Sequence, residues 1–320
     1  MVLVTGAAGF IGFHVAKKLL DRGDEVLGID NINSYYDPAL KEARLAILTS
    51  YRRFVFEKLD ICDRAGLDAL FRRFHLDRVC HLAAQAGVRH SLTDPWSYQK
   101  SNGEGFLNIV ELVRTYRPEN FVYASSSSVY GANTKLPFSE DDPTDAPVSL
   151  YAATKKANEL VAHCYRHLYG IPATGLRFFT VYGPWGRPDM ALFKFTKAIL
   201  GGEAIEVYNN GLMRRNFTYI DDIVAGVLLT LDRVAPDEVY NIGNDRAEQL
   251  MDFIAEIEKN CGKKADIRFL PMQPGDVVDT VADIGKLMAL GYDPKTNIDR
   301  GVAAFVEWYR GYIDMQGKLF

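Results

Sequence analysis

The segment Gly6-Ala7-Ala8-Gly9-Phe10-Ile11-Gly12 places three glycines at GxxGxxG spacing between an apolar run, Val2-Leu3-Val4, and a helical pattern running from about Ile11 to Arg22. That spacing asks for a tight turn, a close backbone approach and a helix N-terminus aimed at negative charge. A diphosphate meets all three demands. Glycines that only pack a helix on a strand would give the same letters, but here a strand precedes the turn and a helix follows it. Glu25-Val26-Leu27-Gly28-Ile29-Asp30 reads as the next strand, ending in Asp30 18 residues after Gly12. A carboxylate there accepts ribose hydroxyls and repels a 2′-phosphate, which favours NAD over NADP. Candidate cofactor contacts are therefore Gly6, Gly9, Phe10, Ile11, Gly12, Asp30 and Asn31, with Leu82, Ala83 and Ala84 closing a later strand. Asp60-Ile61 could meet the adenine or simply end a strand.

The first 170 or so residues alternate short apolar runs with helical patterns, which predicts a doubly wound α/β fold with a parallel sheet. Further strands are expected at Arg78-Val79-Cys80-His81-Leu82-Ala83, at Phe121-Val122-Tyr123-Ala124 and over 171–177, and helices over 102–116 and 151–168. Gly183-Pro184-Trp185-Gly186-Arg187-Pro188 is too broken for regular structure. The expected division is a cofactor domain over 1–175, joined by a later segment near 215–245, and a smaller C-terminal α/β substrate domain over 176–320.

Charge narrows the partners. Thirty-seven basic against 41 acidic residues give a net charge of −4, which argues against bulk nucleic-acid binding. The four cysteines, Cys62, Cys80, Cys164 and Cys261, form no CxxC pair, so reduced thiols are expected and no metal site. No secretory leader and no long apolar span is visible, which leads us to expect a soluble cytoplasmic protein without membrane attachment.

Tyr151-Ala152-Ala153-Thr154-Lys155 puts a phenol and an ammonium on one helix face. A free phenol has a pKa of about 10, and lowering it to about 7 takes roughly 4 kcal/mol. A neighbouring ammonium and a positive nicotinamide ring both favour phenolate. Tyr151 is thus the candidate base and Lys155 its helper. Ser125-Ser126-Ser127-Ser128 follows a strand end, where ligands sit in open α/β sheets, although such a run also suits an ordinary loop.

Together, the Gly6-Gly9-Gly12 turn, the serines before Val129-Tyr130-Gly131 and the Tyr151/Lys155 pair resemble the nucleotide-sugar epimerases and dehydratases of the extended short-chain dehydrogenase/reductase type. The resemblance covers essentially the whole chain. It implies a Rossmann domain with a smaller C-terminal domain that holds a nucleoside diphosphate sugar, and a homodimer built through the helices over 102–116 and 151–168. It makes Ser126 the serine that bonds the reacting hydroxyl, with Ser128 as a second candidate. It also makes Arg215 a diphosphate contact and places Asp276 near the nucleoside ribose.

Two departures narrow the subgroup. Dehydratases and decarboxylating relatives carry an acid just before VYG, where this chain has only serine. Galactose-type epimerases carry an asparagine where Thr180 stands and an arginine where Gln273 stands. Asp30-Asn31-Ile32-Asn33-Ser34-Tyr35-Tyr36-Asp37, Lys41-Glu42-Ala43-Arg44-Leu45, Ala86-Gly87-Val88-Arg89 and Trp185 to Phe193 instead resemble the 4-epimerases of UDP-glucuronate. The resemblance implies substrate contacts at Arg89, Ser127, Thr180, Arg187, Arg215 and Asp276, with Ser127, Ser128, Thr180 and Arg187 as candidate carboxylate donors. Arg187 could equally face phosphate or solvent. The expected reaction is NAD-dependent 4-epimerisation of a UDP-sugar through a transient 4-keto sugar. A neutral sugar (UDP-glucose or UDP-N-acetylglucosamine) is the alternative substrate, and a non-catalytic NAD-binding regulator the distant one.

Overall fold

The computed structural model describes residues 1–235, 238–273, 279–315 and 317. Val2–Thr5 (β1), Val26–Asp30 (β2), Phe54–Lys58 (β3), Arg78–His81 (β4), Asn120–Ser126 (β5) and Ala173–Phe178 (β6) join Val239–Ile242 in a seven-stranded sheet. The order is β3-β2-β1-β4-β5-β6 followed by Val239–Ile242, and every pair is parallel. Parallel strands must be covered on both faces, which is why the inner ones read as unbroken apolar runs. One face packs against Phe10–Asp21 (α1) and the helix Ile220–Leu231. The other packs against Arg64–Arg73 (α3) and the helix Phe106–Tyr116.

The chain runs outward from β1 to β3 and then returns to place β4 on the other side of β1. At that reversal the strand ends open a crevice, the usual ligand position in such sheets. Thr5 braces it: its hydroxyl accepts from the backbone N–H of Leu82 (3.1 Å) and Ala83 (3.0 Å). Its own proton is then directed to His81 Nδ1, 2.8 Å away. Burial, reinforced by the Lys155 charge, pushes the His81 pKa down to about 3, so the ring is a neutral acceptor.

Three elements differ from the sequence-based expectation. β5 continues through Ser125 and Ser126, so the strand carries the first two serines and only Ser127 and Ser128 lie in the following 3-10 turn. The helix expected over 102–116 begins as a π-helix, Gln99–Gly105, and becomes α-helical at Phe106. Its Asn102 carbonyl instead accepts from Asn158 Nδ2 (2.6 Å), while the Asn102 side chain bridges the Gln85 backbone and Thr154 Oγ1. Such wide turns let a carbonyl leave the helical ladder for another partner. The strand expected over 78–83 stops at His81, after which the backbone turns into the crevice.

The excursion after β6 builds a second core. The helices Ala191–Gly201, Leu250–Cys261 and Ile298–Met315 pack there, with Phe217 stacked on Phe253 at 3.9 Å. Strand Ile205–Tyr208 pairs with Ile267–Leu270, and Arg214–Arg215 lies between Glu248–Gln249 and Asp279–Thr280. These short pairs carry the polar wall that faces the sheet crevice.

The glycine turn is sterically closed. A Cβ on Gly12 would stand 2.1 Å from the Gly6 carbonyl oxygen, and one on Gly6, at φ +70, 2.9 Å from Ala83 Cα. We predict that Gly12→Ala lowers unfolding stability by about 1–3 kcal/mol through overpacking. Gly201, a helical glycine with nothing within 4 Å of its added Cβ, should accept alanine without loss. Thermal unfolding of both variants without cofactor checks the contrast.

Candidate active site

Ser149 caps the helix Leu150–Tyr169 by accepting from Ala152 N at 3.1 Å. The cap fixes the first turn, so Tyr151 enters the crevice from the helix start and Lys155 follows one turn later. Deeper along the same helix Glu159 accepts two bonds from Arg177 of β6 (2.8 and 2.9 Å) and one from Ser125 of β5 (2.6 Å). Helix, serine strand and neighbouring strand are thereby locked together.

Two cavities meet at this point. One, of about 260 Å³, is lined by Gly6, Gly9, Phe10, Ile11, Gly12, Asp30, Asn31, Ile61, Leu82, Ala83, Ala84, Tyr151 and Lys155 among others. The other, of about 840 Å³, is lined by Arg89, Ser127, Ser128, Thr180 and Arg215. Ser126, Tyr151 and Arg187 line both. The sequence-derived cofactor and substrate residues thus fall into two groups that share a reacting end. Asp60 stands behind the first wall: it accepts from Asn31 Nδ2 (3.0 Å) and from Cys62 N (2.8 Å). Asp276 lies outside the described residues.

The first cavity fits a dinucleotide. Its floor is the glycine turn, which stays this tight only because a Cβ on Gly6 or Gly12 would strike backbone. Asp30 keeps one carboxylate oxygen on Ala8 N (3.1 Å) and the other on Ile32 N (2.8 Å), so it is oriented before any hydroxyl arrives. Lys41, Asn33 and Gln85 also line this cavity and had been assigned no role from sequence. Lys41 bonds the Asn33 carbonyl (2.9 Å) and side chain (2.6 Å), and burial lowers its pKa against the opposing pull of Asp30. Its segment was conspicuous in sequence, but no spacing rule points a lysine there.

Burial raises the Tyr151 pKa, while a hydrogen bond with the Ser126 hydroxyl and the Arg187 charge pull it back down. Ser126 Oγ in turn accepts from Ser128 N (3.2 Å) and Ser128 Oγ (2.9 Å), so three hydroxyls form one chain ending at the phenol. Lys155 Nζ donates to the Ala124 carbonyl at 2.9 Å, and burial lowers its pKa to about 8. The cation that acts on the phenol here is therefore Arg187, a cross-loop partner that helical spacing does not reveal.

Arg187 is held by Asp189, which accepts from Nε at 3.0 Å and from Nη2, and also from Tyr35 OH at 3.1 Å. Burial opposes its charge, but Asp189 more than offsets that and keeps it cationic. At the far end of the larger cavity Arg89 lies over the Tyr208 ring at 5.0 Å, near Arg215 and Arg268. Arg268 carries no motif and was missed from sequence. Three guanidinium groups there suit a diphosphate. Among the described residues no cluster of metal-ligating side chains occurs and no helix is long and apolar enough to cross a membrane.

The chain is similar to known proteins over most of its length. Residues 2–243 match the model of the NAD dependent epimerase/dehydratase family. UDP-glucuronate 4-epimerase 3 of Arabidopsis thaliana is 51% identical over 97% of this chain and 76% of its own length. The crystal structure of UDP-glucuronic acid 4-epimerase from Bacillus cereus, in complex with UDP-glucuronic acid and NAD, superposes with a TM-score of 0.91 at 35% identity, covering 97% of this chain and 99% of its own. UDP-glucose 4-epimerase from Thermus thermophilus, solved with NAD, gives 0.88 at 31% identity over 97% and 99%.

The buried ammonium has a pH signature. Lys155 has a folded pKa of about 8 against an ordinary value of 10.5, so the unfolded chain binds more protons in that window. Its contribution to stability must rise with pH between those values, by up to about 1.4 kcal/mol per pH unit. We expect the pH slope of unfolding free energy from pH 8 to 10 to be more positive in the cofactor-free wild type than in Lys155→Met. Denaturant titrations across that range measure the difference, and equal slopes would contradict the buried charge.

Proposed function

Because the chain belongs to the NAD dependent epimerase/dehydratase family, we propose that it inverts C4 of UDP-glucuronate to give UDP-galacturonate, with NAD retained throughout. NAD, when bound, would supply a reversible hydride acceptor for C4, so no net redox change would result. The glycine turn and α1 hold its diphosphate, Asp30 and Asn31 its adenosine ribose, and Lys155 its nicotinamide ribose.

Tyr151, as phenolate, takes the proton of the C4 hydroxyl, which Ser126 aligns, with Ser128 behind it. The 4-keto sugar turns about its diphosphate linkage while Arg89 and Arg215 keep the diphosphate in place. Tyr151 then returns the proton to the C4 oxygen of the turned ketone, whose opposite face now lies toward the cofactor. A 4-keto uronic acid is a β-keto acid and loses carbon dioxide readily, so its carboxylate must be held out of the geometry that expels it. Ser127, Ser128, Thr180 and Arg187 take that part. The single observation that carries the reading is this donor group at the Tyr151 end of the larger cavity, with serine at the position before VYG. A neutral sugar has no group that needs so many donors.

We place a homodimer on the helices Phe106–Tyr116 and Leu150–Tyr169. Leu107 (45% exposed), Leu160 (55%) and Trp96 (80%) leave apolar surface on and beside them. Free cysteines and a nucleotide-sugar substrate together suit the cytoplasm.

Proton NMR after incubation with UDP-glucuronate and no added NAD should show UDP-galacturonate accumulating. Conversion of UDP-glucose alone would reject the uronic-acid reading. Tyr151→Phe should lower kcat by about 10³-fold, and Thr180→Val or Arg187→Ala should release a pentose product that the wild type does not. For the dimer, Leu160→Asp should shift the sedimentation coefficient to that of a monomer, and an unchanged value would place the interface elsewhere.

A further inference from the structure

Two conspicuous sequence segments, Lys41 to Leu45 and Trp185 to Phe193, lie 140 residues apart along the chain and meet at one side chain. Arg44, on the helix Pro38–Thr49, is fully buried at 0% exposure. Its Nη1 donates to the Ala8 carbonyl of the glycine turn and to Tyr36 OH, each at 2.8 Å. Its Nη2 donates to the Trp185 carbonyl at 2.6 Å and to the Gly186 carbonyl at 3.4 Å. The residue after Gly186 is Arg187, the cation that faces Tyr151.

The loop it grips needs holding. Trp185 sits at φ +61, a left-handed conformation that a bulky non-glycine residue adopts only when its surroundings impose it. The same loop is tethered once more: His14 of α1 bonds the Pro184 carbonyl at 2.9 Å. Burial lowers the His14 pKa to about 4, so near neutrality the ring is uncharged and Nε2 carries the donated proton. Three consecutive loop carbonyls are thus claimed by side chains from the cofactor half. On the other side of the turn, Ala8 N donates to Asp30. A continuous set of bonds runs from Asp30 through Ala8 and Arg44 to the loop that ends in Arg187.

We propose that Arg44 is a positioning residue whose buried guanidinium fastens the Trp185–Arg187 loop to the cofactor turn, registering the group that faces the sugar to the group that faces the cofactor. Its role in sugar binding rests on the reading of Arg187 given above. Arg44 touches neither ligand in this scheme and acts through Arg187 and the turn. The planar fork suits this span, because Nη1 and Nη2 reach carbonyls on the two segments from separate nitrogens, a fixed geometry that a single ammonium nitrogen does not reproduce.

The test is Arg44→Lys in the NAD-loaded enzyme. Loss of charged hydrogen bonds on both segments should speed NAD release about tenfold and raise the UDP-glucuronate KM about tenfold; because Arg187 also acts on the Tyr151 phenol, the kcat–pH profile should shift to higher pH with its plateau within about threefold of wild type. In an Arg187→Ala background the same substitution should add less than about twofold to KM, since the group it positions is gone. Wild-type NAD release and KM with only a lower melting temperature would overturn the proposal, as would a full tenfold KM increase in the Arg187→Ala background. NAD release is measured without sugar, so it judges Arg44 even where wild-type enzyme fails to turn over UDP-glucuronate; that failure counts against the substrate reading alone. Should Arg44→Lys not fold, His14→Phe removes the other tether of the same loop, because it has no donor for the Pro184 carbonyl. It must raise KM, and an unchanged KM overturns the proposal.

Discussion

The bidentate pair between Glu159 and Arg177 is the interaction on which the reacting geometry depends. Both side chains are 4% exposed, so neither charge has water to fall back on. A buried pair of this kind contributes little net stability, because desolvation consumes most of the Coulombic gain. What it supplies is geometric. Glu159 also accepts from Ser125, and Arg177 reaches Tyr130 OH (3.0 Å), which donates to Asn241 of the seventh strand (2.6 Å). Every unit that carries a reacting group is referred to this one cluster: the tyrosine helix, the serine strand and the turn that follows it. Any shift of one of them would leave a buried charge unpaired.

Around that anchor the electrostatics of the phenol are a contest. Burial keeps Tyr151 protonated, and the Ser126 bond and Arg187 oppose it. Lys155, drawn toward neutrality by burial and bonded to Ala124, contributes chiefly position in the structure at hand. The wide π turn around Asn102 serves the same end, releasing a carbonyl to the tyrosine helix and joining it to the Gln85 wall of the cofactor cavity.

Legibility in the sequence followed the range of each interaction. The glycine turn was readable because much of its steric demand, Gly12 and Gly9 against the Gly6 carbonyl, is met within seven residues, and Tyr151 with Lys155 because helical spacing puts them on one face. The parallel sheet was readable from unbroken apolar runs. The continuation of β5 through Ser126 was not, since serine has no strand preference and its place there is set by pairing with β6. Nor was the π turn, whose cause is a set of amide bonds to Gln85, Thr154 and Asn158. Arg268, Lys41 and the loop-holding part played by Arg44 left no local pattern, because a long cationic side chain declares its target only when the target is in place.

By itself the sequence determined the chemistry on offer: a turn shaped for a diphosphate, a carboxylate for ribose, a phenol with an ammonium one turn away, and hydroxyls where related enzymes carry an acid. These are properties of short segments, dictated by sterics and helical or strand periodicity. Tertiary structure alone decided which cation faces the phenol, how the Trp185 loop is held, and where the two cavities join. Those outcomes depend on buried charges finding partners far along the chain. A buried charge is costly unless paired, so the fold that pairs all of them also sets their positions.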